Sequence, residues 1–157
     1  MFLSTFMMKM DKKGRISVPA PWRAHLSEEG FDGFIAFPSI SHDAIDARGA
    51  KAFNALMDKL QADTQAKAGT FEAELFADGD NPAAYLSSIA VEVAYDGEGR
   101  LSLPPPLKSV LGECEQVAFV GRHGFFQIWS DQAWARQSQA ERNAFRSRVM
   151  AHRGGSA

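Results

Sequence analysis

Sixteen residues near the start of this chain are written again beyond its middle, and that repetition constrains the fold more than any other feature. Asp11-Lys12-Lys13-Gly14-Arg15-Ile16-Ser17-Val18-Pro19-Ala20-Pro21-Trp22-Arg23-Ala24-His25-Leu26 returns without a gap, 85 residues later, as Asp96-Gly97-Glu98-Gly99-Arg100-Leu101-Ser102-Leu103-Pro104-Pro105-Pro106-Leu107-Lys108-Ser109-Val110-Leu111. Seven positions are identical, and Ile/Leu, Val/Leu, Trp/Leu and Arg/Lys pair like with like. Self-similarity at domain-length spacing implies two related halves. The expected division is a first half over residues 1–68, a connecting segment over 69–86, a second half over 87–135, and a C-terminal helix with a frayed basic tail over 136–157.

Each copy reads as strand, turn, strand, then a short helix. Ile89, Val91, Val93 and Tyr95 alternate onto one face before the second turn, and Leu101 and Leu103 alternate with Ser102 after it. Gly14 and Gly99 take the positive-φ position at the tip, while Asp11 and Asp96 cap the turn through their carboxylates. Pro19 and Pro104 end the second strand, and Pro21 or Pro106 opens a helix in its first turn. Trp22 and Leu26 are expected in the core.

Downstream, Phe34–Phe37, the turn 38–43 and Ala44–Ala47 correspond to Val117–Val120, the turn 121–124 and Phe125–Trp129, again strand, turn, strand. Phe53, Leu56, Met57 and Leu60 follow at helical spacing. A last helix is expected from about Asp131 to Met150, with Trp134 and Phe145 turned inward and the tail from Arg153 frayed. Asp78-Gly79-Asp80-Asn81-Pro82 reads as a loop, and Gly69 to Phe76 is ambiguous in type. The fold class expected is α+β, mainly β.

Charge is distributed unevenly along the 157 residues. The formal net charge is −2, with 17 Lys and Arg against 19 Asp and Glu. Residues 9–23 nevertheless hold five cations against Asp11 alone, residues 28–98 hold fourteen acids against four bases, and residues 136–153 hold five arginines against Glu141. A basic face on an otherwise acidic body gives this pattern. For the C-terminal arginines alone, a solvated helix face is the simpler reading.

Chemistry-bearing residues are few. Cys114 is the only cysteine, which excludes an internal disulfide or a cysteine-based zinc site. Its neighbours Glu113 and Glu115 offer no cation to activate a thiol. Ser41-His42-Asp43 are adjacent, whereas catalytic triads assemble from distant positions, so they read as a polar turn. Gly97-Glu98-Gly99 lacks the Gly-Lys-Ser/Thr of a phosphate loop, and His123 has no ligand partners nearby. No catalytic set, metal, cofactor or small-molecule substrate is implied. No apolar run reaches the roughly 20 residues that span a bilayer, and the opening residues lack the pattern of a signal peptide. A cytoplasmic protein is expected.

A lone Asp-x-x-Gly-Arg turn is a good hairpin with its Arg paired to its Asp. Two copies in identical register, each followed by Ser, an apolar residue and Pro, ask for more. A guanidinium on a short ribbon reads guanine through a bidentate fork, and neighbouring lysines meet phosphates. Lys12 and Lys13 supply that charge in the first copy; Gly97 and Glu98 replace them in the second.

On these residues the chain resembles the MraZ family, bacterial division and cell-wall cluster regulators built from two tandem domains of the AbrB/SpoVT swapped-hairpin type. The family pattern Asp-x-x-Gly-Arg-x-x-x-Pro-x-x-x-Arg stands complete at Asp11, Gly14, Arg15, Pro19 and Arg23. The second copy reads Asp96, Gly99, Arg100, Pro104 and Lys108, with Lys for Arg and with Glu98 where Lys or Gln is more usual. The resemblance runs to about residue 135 and includes the aromatic stretch from Phe125 to Trp134. It implies a pseudo-twofold, barrel-like body with flanking helices. It also implies a nucleoid-associated repressor that binds double-stranded DNA at promoter direct repeats as a homo-oligomer, in a ring, through Lys12, Lys13, Arg15, Arg23, Arg100 and Lys108. Two other readings compete: an oligomeric scaffold whose Arg15 and Arg100 serve subunit contacts, and an antitoxin-like swapped-hairpin DNA binder, which the duplication disfavours.

Overall fold

Turn chemistry and strand alternation set the local structure; the pairing of the strands is a matter of the whole chain. The computed structural model describes residues 1–66 and 81–155. The first half contributes β1 (Thr5–Lys9), β2 (Arg15–Ser17), α1 (Ala20–Glu28), β3 (Gly33–Pro38), β4 (Ile45–Arg48) and α2 (Ala50–Ala66). After α3 (Pro82–Ile89), the same series recurs as β5 (Val91–Ala94), β6 (Arg100–Ser102), α4 (Pro105–Leu111), β7 (Gln116–Gly121), β8 (Phe126–Ser130) and α5 (Asp131–Gly155). The fold is α+β with mostly strands, as the sequence led one to expect.

The two strands that flank each turn do not form a ladder with one another. β1 leaves to pair with β7, in register from Thr5 opposite Val120 to Lys9 opposite Gln116. β5 leaves to pair with β3, and β2 pairs with β6. All pairs are antiparallel, in one six-stranded sheet of order β1-β7-β8-β4-β3-β5 and one two-stranded ribbon β2-β6. Exchanging the halves reads the sheet order backwards and returns the ribbon to itself, so the halves are related by a pseudo-twofold axis. The expected barrel-like body is corrected here. The large sheet stays open, with β1 and β5 at its edges, because each half spends its second strand on the ribbon instead of on closure.

One face of the sheet carries the core. Phe2, Phe34, Phe119, Phe126, Ile45 and Ile128 are fully buried there, together with Trp22 and Leu26 from α1 and Leu107 and Leu111 from α4. Rings meet edge-on or tilted: Trp22 lies 5.3 Å from Phe2, 5.4 Å from Phe6 and 5.1 Å from Phe126 between centroids. The ribbon closes this core from outside through Ile16 and Leu101, at 1% and 3% exposure. Each such side chain contributes about 1.5–3 kcal/mol by leaving water.

The alternate residues of β7 and β8 build a smaller cluster on the opposite face, where Ala118, Val120 and Trp129 meet Ala44 and, from α5, Ala133 and Trp134. A polar network fixes α5 to that face. Arg122 donates to both carboxylate oxygens of Glu141 at 2.7 Å and, through Nε, to Gln127 Oε1 at 3.1 Å. Buried Gln127 passes the network on to Asp46 at 2.8 Å and receives Trp129 Nε1 at 3.0 Å. The bidentate bond holds Glu141 below the usual carboxylate range and raises Arg122 further.

Four expectations about helices need correction. Ile89 ends α3 and is not part of the strand. Asn81 and Pro82 are not loop but helix start: Asn81 Oδ1 accepts from Ala84 N at 3.2 Å, and Pro82 sits in the first turn. Phe145 does not face the core but is 72% exposed, because α5 outruns the sheet that its first turns cover. The helix also continues through Arg153 to Gly155, where fraying was expected, with His152 and Arg153 in its last turn, the sign of charge that suits a helix C-terminus. The stripe Phe53, Leu56, Met57 and Leu60 is half-buried on α2, as its spacing indicated. Gly69 to Phe76 and Asp78 to Asp80 lie outside the described residues.

Candidate nucleic-acid interface

Both Asp-x-x-Gly-Arg segments fold into the same loop. In the first, Asp11 N donates to Arg15 O at 2.9 Å and Gly14 N donates to Asp11 O at 3.0 Å. The Asp11 carboxylate accepts from Lys13 N at 2.9 Å, Arg15 N at 2.8 Å and Arg15 Nε at 2.8 Å. In the second, Asp96 N donates to Arg100 O at 2.9 Å, Gly99 N to Asp96 O at 2.9 Å, and Asp96 Oδ1 accepts from Glu98 N and Arg100 N at 2.9 Å each. Gly14 and Gly99 have φ of +78° and +81°, a conformation open to glycine and strained for other residues. Backbone hydrogen bonds from Arg15 and Arg100, above all, hold the two Asp carboxyls below their ordinary range.

The ribbon decides where the arginines point. With Ile16 and Leu101 turned inward, Arg15, Ser17, Arg100 and Ser102 occupy the outward face. Arg15 stands opposite Ser102 and Ser17 opposite Arg100, so the two guanidinium-bearing residues are diagonal neighbours about 7–8 Å apart. The sequence marks each arginine singly; only the β2-β6 pairing brings them onto one surface.

Their surroundings differ. Arg15 spends Nε on Asp11 and leaves its terminal nitrogens without a partner among the described residues. Lys12 and Lys13 are exposed beside it. Arg100 pairs through Nη2 with Glu98 at 3.0 Å, and its Nε lies 3.4 Å from Asp96. Such exposed pairs add little to stability; what Glu98 removes is positive potential.

The remaining two predicted site residues exchange halves. Arg23, on α1, reaches the second loop, where Nη1 donates to Glu98 O at 3.0 Å, while Nε donates to Val18 O at 3.2 Å. Lys108, on α4, reaches the first loop: its Nζ stands 3.6 Å from where a Cβ on Gly14 would lie. The sequence reading missed these crossings, although the like-for-like pairing of Arg23 with Lys108 was their one visible trace. It also missed Tyr95, whose hydroxyl donates to Arg23 O at 3.0 Å.

It is the comparisons with known proteins that place this duplicated body, with paired arginine loops on one outer ribbon, among transcriptional regulators. The family model described as "MraZ protein, putative antitoxin-like" matches residues 1–70 and 86–151. "Transcriptional regulator MraZ" of Rickettsia bellii (strain OSU 85-389) is 38% identical over 134 residues, covering 83% of this chain and 82% of the relative. The proteins of the same name from Rickettsia felis and Rickettsia akari are 37% and 36% identical over 133 residues, with the same coverage. The chain belongs to the MraZ family. Among its described residues no helix is long and apolar enough to cross a membrane.

Proposed function

We propose that the protein is a sequence-specific repressor that grips double-stranded DNA with its two arginine loops. The observation that carries this reading is the outward face of the ribbon, where Arg15 and Arg100 are diagonal neighbours and Arg15 keeps both terminal nitrogens open among the described residues. A two-stranded ribbon fits the major groove, and a guanidinium there matches guanine O6 and N7. The diagonal spacing of about 7–8 Å is close to two base-pair steps of 3.4 Å. Lys12, Lys13 and Lys108 flank the first loop as phosphate contacts, which position the ribbon without reading sequence.

Few cations face DNA in one subunit, so useful affinity calls for several subunits on successive direct repeats, where linked sites gain roughly 10² to 10⁴ in avidity. Together with the family resemblance, this supports a homo-oligomeric ring acting in the cytoplasm, on the nucleoid, at the promoter of the division and cell-wall gene cluster. Each half supplies one tip, and we keep the boundaries 1–68, 69–86, 87–135 and 136–157 as the working division. Light scattering with and without a duplex from upstream of the protein's own gene, at two salt concentrations, tests the reading. The expected result is a multimeric mass that rises further on adding duplex, less so at high salt. A multimer indifferent to duplex would favour the scaffold instead.

A further inference from the structure

Arg23 is the least available of the loop cations. Its side chain is half-buried, and two of its three nitrogens are spent on backbone carbonyls of different halves, Val18 O and Glu98 O. A Cβ on Gly99 would stand 2.6 Å from Arg23 Cζ, so the guanidinium lies flat against the loop and any side chain at Gly99 would have to push it aside. Gly99 is buried in consequence, whereas Gly14 is not. The same segment takes a second hold on the loop, since Val18 N donates to Gly99 O at 2.8 Å. Tyr95, just before the loop, anchors Arg23 in return through its carbonyl and stands 3.2 Å from Ser27 Oγ on the same helix.

At the first loop the matching position behaves otherwise. Lys108 is exposed, and its side chain makes no hydrogen bond among the described residues. A lysine is a compact point charge with three rotatable donors on a flexible stem, whereas the arginine fork holds two acceptors at fixed geometry.

We propose that Arg23 is a positioning residue of the second loop: the first half's guanidinium sets the shape in which the second half presents Arg100, and does not itself contact DNA. This rests on the DNA-binding reading above only for its functional consequence. The bracing of one half's loop by the other half's cation is a property of the free protein.

The test uses the full chain, with Arg23→Ala, Arg23→Lys and Arg100→Ala singly and Arg23→Ala combined with Arg100→Ala. Amide hydrogen exchange followed by NMR reads the brace directly. Arg23→Ala is expected to speed exchange at Gly99 and Arg100 about tenfold, the scale of one ordinary hydrogen bond, while Gly14 and Arg15 stay unchanged. Arg23→Lys, which keeps the charge and the fold, is expected to leave the second loop equally loosened. Unaltered exchange at Gly99 and Arg100 in both variants would overturn the proposal.

Binding to the upstream duplex across salt concentrations reads the consequence. The double variant is expected to bind no more weakly than Arg100→Ala alone, with the same salt slope. A further fall in slope of about one unit on adding Arg23→Ala would mean a direct phosphate contact and would equally overturn it. If the unaltered protein ignores duplex altogether, the DNA-binding reading fails, and the exchange measurement still decides the brace.

Discussion

The two loops share a backbone and differ in charge. Residues 11–15 carry one acid and three bases, and Lys108 adds a fourth cation nearby; residues 96–100 carry two acids and one base, offset by Arg23. Their hydrogen bonds match to within about 0.1 Å at each equivalent main-chain contact. Shape and potential are therefore set by separate residues. Asp and Gly fix the turn, the two positions between them fix the field, and the two copies share the first while differing in the second.

The largest way to break this comparison is at the arginines. Arg15→Ala is expected to cost about 1–3 kcal/mol of specific binding, the value of one bidentate base contact. Arg100→Ala should cost less, because Glu98 already occupies one of its nitrogens. Equal losses in a gel shift would show that the charge difference has no functional weight.

The glycines separate shape from charge. Gly14→Ala forces an L-residue into left-handed backbone and is expected to cost about 1 kcal/mol of folding stability in chemical denaturation, whereas Gly99→Ala should cost about 2 because its Cβ also displaces Arg23. Identical costs would mean that the Arg23 contact yields freely. Glu98→Lys then sharpens the comparison by gain: it gives the second loop the charge of the first, and the salt slope of binding is expected to steepen by about 0.9, one further phosphate contact.

The smallest effect is that of pH. Both Asp carboxyls titrate below their ordinary value when folded, so their contribution is complete above the unfolded value of about 3.9 and is lost as pH falls through the folded one. Both loops should hold their amide protection unchanged from pH 8 to 5 and loosen together only in stronger acid. A loss near pH 6 in one loop alone would contradict the shared cap.

How much of this was legible in the sequence follows from the range of each interaction. The loops were legible because Asp11, Gly14 and Arg15 act within five residues, and so were the helix starts at Pro21 and Pro106. The exchange of strands was legible only through the family resemblance: alternation at Val91, Val93 and Tyr95 gives a strand its face but does not name its partner. Asn81-Pro82 misled because one dipeptide serves both as turn former and as helix cap. Phe145 misled because helical spacing defines a stripe without saying how far the supporting sheet extends. Of the site itself, the residue types were visible and their meeting was not, since Arg23 and Glu98 are 75 positions apart.

That exchange also bears on how the protein is made. β1 leaves the ribosome more than a hundred residues before its partner β7 is completed, which at roughly 5–20 residues per second is a wait of about 5–20 seconds. Until then Phe2 lacks the Phe126 ring that it meets in the folded protein, and β1 is an unclaimed edge. Neither half completes its own sheet edge, so a truncated chain released early would carry that edge into the cell, open to any other unpaired strand.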